Sequence, residues 1–112
     1  MRRRTMTIKT RINENLTINS ASFRVPKVDS GKVATLTVKA GSDAASIVIT
    51  DPNGKPVEPT KQQMKADNGE VTFLTMWIVT GNSGDQLNYT IRVYDADGYA
   101  SVNTKTVTVT VA

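Results

Sequence analysis

The sequence predicts an all-β fold: an antiparallel Greek-key sandwich of about seven strands carrying a basic amino-terminal arm. Three observations predict it. Residues 86–94 and 106–111 are two alternations of apolar and polar residues joined by Asp95-Ala96-Asp97-Gly98, the pattern of a hairpin with one buried face. Turn-forming clusters rich in Gly, Pro, Asn, Asp and Ser recur along the chain at the spacing of a sandwich. Apolar spacing of the helical kind is not sustained over three turns anywhere.

The elements follow in order. Residues 1–15 form the arm, holding Arg2, Arg3, Arg4, Lys9 and Arg11 against Glu14. Leu16-Thr17-Ile18 and Ser22-Phe23-Arg24-Val25 alternate and read as a broken first strand, stopped or displaced to an edge by Pro26. Asp29-Ser30-Gly31 turns into a strand over 32–39, with Ala34, Leu36 and Val38 on one face. After Gly41-Ser42-Asp43, Ala45, Ile47 and Ile49 define the inward face of the next strand, which Asp51-Pro52-Asn53-Gly54 closes as a turn with proline at its second position. Residues 55–67 are polar, interrupted by Pro56 and Pro59, and hold one short edge strand around Gln62–Lys65. Asn68-Gly69 turns into the longest predicted strand, Val71–Thr80. The hairpin of 86–111 completes the sandwich, which spans 16–112. Its predicted core is Trp77, Tyr89, Ile91, Val93, Val107 and Val109, with Leu87 and Val111 beside them.

Composition narrows the function. A chain of 112 residues fits one domain, and folding at this size buries roughly 60–70% of the unfolded surface without needing a disulfide. Cysteine and histidine are both absent, which removes thiol catalysis, thiolate metal sites, the usual general base and the commonest metal ligand. No enzyme activity, cofactor or metal is expected. The net charge of +4 resides entirely in the arm, because the nine basic and nine acidic residues after position 15 cancel. The arm has no apolar segment of the kind a secretory signal needs, and Met76-Trp77-Ile78-Val79, the longest apolar run, is far short of the roughly 20 residues that cross a membrane.

Gly31–Val38, Ile47–Val57 and Tyr89–Gly98 together make the chain resemble the immunoglobulin-like and fibronectin-III-like repeats of bacterial surface and phage virion proteins. The resemblance covers about residues 20–111 and implies an immunoglobulin-like sandwich. Tyr89, just after the Gly-rich corner 81–85, stands where such folds place a tyrosine corner, so its ring is expected in the core and its hydroxyl on an upstream backbone group. The resemblance implies spacing, adhesion or decoration and no shared catalytic residues. Some related surface domains carry an intramolecular isopeptide bond, which here would join Lys27 or Lys32 to Asn103 and show as loss of ammonia in the intact mass.

Two features point to partners. If Val71, Phe73, Trp77 and Val79 face the core, the opposite face of the same strand presents Leu74, Met76 and Ile78 where a solvated sheet carries polar residues. Burying three such side chains contributes about 5–9 kcal/mol before association costs. The basic arm or the 55–67 segment folding over this face, or a β-bulge that changes which residues point inward, are the structural alternatives. The basic arm suits an acidic partner, but its arginines are not interleaved with aromatic residues, so no specific nucleic-acid binding is expected. These features lead to a non-catalytic module displayed on a virion head or tail as a decoration protein, contacting capsid or tail proteins through the arm and the Leu74, Met76, Ile78 face, with a homo-oligomer left open. A repeat of a secreted adhesin or cell-wall protein, bound to cell-surface components at an extracellular or cell-surface location, is the second reading. A carbohydrate-binding module resting on Tyr94 and Tyr99 is the third. Asp95–Gly98 has the start of a calcium loop without its later ligands and reads as a turn, and the sequons at Asn15 and Asn88 matter only in a secreted chain.

Overall fold

In the computed structural model, which describes residues 11–112, the strands are β1 (Ile12–Asn13), β2 (Ile18–Phe23), β3 (Lys27–Val28), β4 (Val33–Gly41), β5 (Ala44–Thr50), β6 (Lys61–Asp67), β7 (Glu70–Ile78), β8 (Gln86–Asp95), β9 (Ala100–Ser101) and β10 (Lys105–Val111). One sheet has the order β2-β4-β7-β6. The other runs β1-β9-β8-β10-β3, with β5 also paired to β8. Leaving aside the two-residue strands β1, β3 and β9, seven strands remain. The first, second, fifth and fourth of these form one sheet and the third, sixth and seventh the other, which is the Greek-key order of the constant-type immunoglobulin sandwich.

Alternation fixes which residues face inward. Ala34, Leu36, Val38 and Ala40 of β4 and Val71, Phe73 and Trp77 of β7 meet Ile91 and Val93 of β8 and Val109 and Val111 of β10 in one core. Tyr89 belongs to this core, while Val107 is half-buried at its margin. Phe23, Trp77 and Tyr89 form an aromatic triangle with ring centroids 5.6, 6.0 and 5.0 Å apart. Edge-on and tilted contacts of this kind suit the aromatic quadrupoles.

The structure departs from expectation in the first and third predicted strands and at Tyr89. The first strand is not broken in its middle: β2 is continuous, with a bulge between Ile18 and Ser20. The chain then leaves that sheet around Pro26, and β3 pairs in parallel with β10 in the other one. Proline, lacking an N–H, suits a crossing where ladder pairing is interrupted. In β5 the register shifts between Ala44 and Ser46, so Ala44 is buried and Ala45, expected inside, is exposed. A bulge reverses the phase of every residue before it. β8, at ten residues, is longer than β7, at nine. The Tyr89 hydroxyl makes no upstream backbone bond among the side-chain hydrogen bonds of the described residues. The ring instead packs on Trp77, 5.0 Å away.

Asn103 does the work of tying the first strand to the last. Its Oδ1 accepts from the Ile18 N–H at 2.8 Å and its Nδ2 donates to the Ile18 carbonyl at 3.0 Å. One carboxamide thereby satisfies both backbone groups of a buried residue. Asn103 is committed to this pair, where the family resemblance placed it opposite a lysine.

Candidate functional site

β7 carries the candidate site because its two faces have different neighbours. It pairs without interruption to β4, from Val33↔Ile78 to Gly41↔Glu70, and to β6, from Lys61↔Met76 to Asp67↔Glu70. With no bulge, every second residue keeps its side. Val71, Phe73, Thr75 and Trp77 point into the core, and Leu74, Met76 and Ile78 point out. The segment 61–67 does not fold over them but lies alongside as β6.

The outward stripe is longer than the sequence suggested. Val33 pairs with Ile78 in register, and the two are 47% and 53% exposed. Met76 and Leu74 continue the line half-buried, flanked by Thr35 and Thr37 on β4 and by Lys61 and Gln63 on β6. An apolar line with hydroxyl, amide and ammonium groups at its sides resembles the centre and rim of a protein interface. Val33 was legible in principle, since it falls out of phase with Ala34, Leu36 and Val38.

The basic residues are placed differently. Arg2, Arg3, Arg4 and Lys9 lie outside the described residues. Arg11 is described, and it is joined to the sandwich: its Nη1 donates to the Tyr99 hydroxyl at 3.0 Å, its guanidinium lies 5.8 Å from the ring centroid, and its carbonyl accepts from the Ala100 N–H. Donating to the Tyr99 hydroxyl raises the pKa of Arg11 further above its already high value. Tyr99 is thus engaged by Arg11, and both Tyr94 and Tyr99 are half-buried, which leaves little open aromatic platform for a sugar.

At the opposite end of β8, a cleft of about 480 Å³ opens between the sheets beneath the loop 51–60. Leu87, Trp77 and Tyr89 line it, with Asp51 and Glu58 among the polar residues at its walls. The Trp77 Nε1 is buried without a partner. Asp51 Oδ1 accepts from the N–H groups of Asn53 and Lys55 at 2.8 and 2.9 Å, so this carboxylate holds its own turn. The cleft offers shape and apolar contact but no paired nucleophile and base.

Asp95 plays the same turn-holding part at the other end. Its Oδ1 accepts from the N–H groups of Asp97 and Tyr99, and its Oδ2 accepts from Asn13 Nδ2 at 2.9 Å. Partial desolvation opposes its charge, but the bonds from Tyr99, Asn13, Asp97 and Gly98 outweigh it and hold the carboxyl below the usual carboxylate range. Among the described residues, no group of three acidic, His or Cys side chains is placed to hold a metal ion, and no helix is long and apolar enough to cross a membrane.

No family model matches the chain, and no curated protein matches it in sequence. Among solved structures, it is similar to a chain of the archaellum periplasmic stator protein complex FlaF and FlaG from Sulfolobus acidocaldarius, with a TM-score of 0.50 and 16% identity over 95% of this chain and 99% of that one. At that identity the likeness is one of fold.

Proposed function

We propose that this protein is a non-catalytic structural module that docks on a larger protein assembly through the outer face of the β2-β4-β7-β6 sheet. The observation that carries the reading is the outward line Val33, Ile78, Met76, Leu74 on a sheet face otherwise filled with Thr, Ser, Lys, Gln, Asp and Glu. A sequence free to choose solvated residues at these outward positions would alternate apolar with polar, as β10 does with its threonines. The lack of histidine and cysteine supports the non-catalytic part. The shared fold with a chain solved in a periplasmic protein complex supports membership of an assembly.

In its narrower form the assembly is a virion head or tail, with Arg2, Arg3, Arg4, Lys9 and Arg11 supplying a second, electrostatic contact to capsid or tail proteins. A cell-surface or extracellular assembly is the second reading, favoured by the periplasmic setting named for the similar structure. The test is a Met76→Lys, Ile78→Lys double variant. It is expected to fold like the wild type, because both side chains point outward, and to lose co-sedimentation with the native assembly. Undiminished co-sedimentation overturns the docking face. Fractionating the native source into virions, envelope and medium, and finding the intact chain by mass spectrometry, separates the two settings.

A further inference from the structure

We infer that the protein self-assembles head to tail, residues 5–10 of one copy adding as a strand to the free edge of β6 in the next. This rests on the assembly reading above and adds to it a second copy of the chain as the partner of residues 5–10, beside the contacts proposed there for the basic side chains.

The acceptor is an edge without a neighbour. β6 pairs with β7 over its whole length, and no strand pairs with its other side among the described residues. All seven of its residues are exposed. Gln62, Met64 and Ala66 stand in register with the core-facing Thr75, Phe73 and Val71, yet Met64 is 54% exposed and belongs to no core cluster among the described residues. Beside this edge, a groove of about 210 Å³ is lined by Ile47, Ile49, Pro56, Val57 and Gln62. An unpaired edge bordering an apolar groove is the geometry that strand addition uses: backbone bonds join the edge and alternate side chains fill the groove.

The donor is a strand pattern without a sheet. Thr5-Met6-Thr7-Ile8-Lys9-Thr10-Arg11-Ile12 alternates, with Met6, Ile8 and Ile12 on one side. Its last residue already pairs, Ile12 with Ala100, where β9 begins. β1 runs parallel to β9, so the chain traced back from Asn13 heads toward the Asp95–Gly98 turn, and Arg11 reaches Tyr99 beside it. Beyond Ile12 the chain's own sheet offers no strand to pair with. β1 and β6 stand at edges of different sheets, and residues 1–15 contain no glycine or proline for a tight turn between them. A second copy is the occupant that this separation favours. Donor and acceptor are different surfaces, so the contact is heterologous and builds rings or filaments.

The absence of cysteine makes the test clean. Chains carrying Ile8→Cys and chains carrying Met64→Cys are mixed and mildly oxidised, with Gln62→Cys as a second acceptor and Thr106→Cys on β10 as the control. A disulfide-linked dimer formed at least about tenfold more with Met64→Cys or Gln62→Cys than with Thr106→Cys supports the inference. Equal yields overturn it, as does a chain bearing both Ile8→Cys and Met64→Cys that closes on itself at all dilutions. Sedimentation of the full chain is expected to show concentration-dependent oligomers that disappear on removal of residues 1–10, and a full chain that stays monomeric to about 1 mM overturns the inference. Met76→Lys, Ile78→Lys distinguishes the two proposals. It abolishes attachment to the native assembly if the face reading holds, and leaves the cross-link intact if the edge reading holds.

Discussion

Single residues in this sandwich act mainly by satisfying or withholding hydrogen bonds. Asn103 satisfies both backbone groups of the buried Ile18, so Asn103→Ala should cost about 1–3 kcal/mol by chemical denaturation, the penalty of a buried group left unpaired. Trp77 is the reverse case. Its Nε1 is buried and unpartnered, so Trp77→Phe removes an unsatisfied N–H along with some apolar area and should cost less than about 1.5 kcal/mol. Trp77→Ala, which removes one corner of the aromatic triangle and both of its contacts there, should cost about 3–5 kcal/mol. Asp95 links stability to pH. Its folded pKa is lowered, so its contribution is fully present above the unfolded carboxylate value of about 4 and is lost as pH falls through the lower folded value. The stability gap between wild type and Asp95→Asn should therefore be constant from neutral pH to about pH 5 and close in more acidic solution, as read from urea titrations at a series of pH values.

At the scale of elements, turns set register and registers set faces. Asn68 and Gly69 have φ of +51° and +76°, the positive pair that a two-residue type I′ hairpin requires, and they lock Asp67 opposite Glu70. Gly69→Ala meets open space, so its cost is backbone strain alone. About 1 kcal/mol is expected by thermal unfolding, and less for Gly69→Asn. That turn holds β6 beside β7 and keeps Leu74, Met76 and Ile78 outward. This much of the site was legible, because an uninterrupted alternation over Val71–Val79 encodes both faces of one strand. The phase of β5 was not. Ala44 and Ala45 are identical residues with no contrast in hydropathy, and the bulge that buries Ala44 and exposes Ala45 lies where the β5–β8 register shifts. The role of Asn103 was equally hidden, since its partner lies 85 positions away.

For the whole molecule, the two sheets are joined by more than their core. β2 and β3 place one stretch of chain in both sheets, and residues 11–13 extend the β8–β9 layer, so the chain counted as arm from its charge is already part of the sandwich from Arg11 onward. Apolar surface is left open both along the outer line of β4 and β7 and on the β5–β6 side, while residues 11–13 join the sandwich beside the 95–98 turn. The sequence by itself determined the class, the number of long strands and the two faces of those without a bulge, because alternation and turn chemistry are local and an unbroken period of two leaves only one way to bury the apolar set. Tertiary structure alone decided that β3 crosses into the second sheet, where bulges shift the phase, and that Val33 joins Ile78 while Met64 is left uncovered. Those outcomes depend on which segment lies beside or across from another, and the pairings that decide them join residues far apart in the chain.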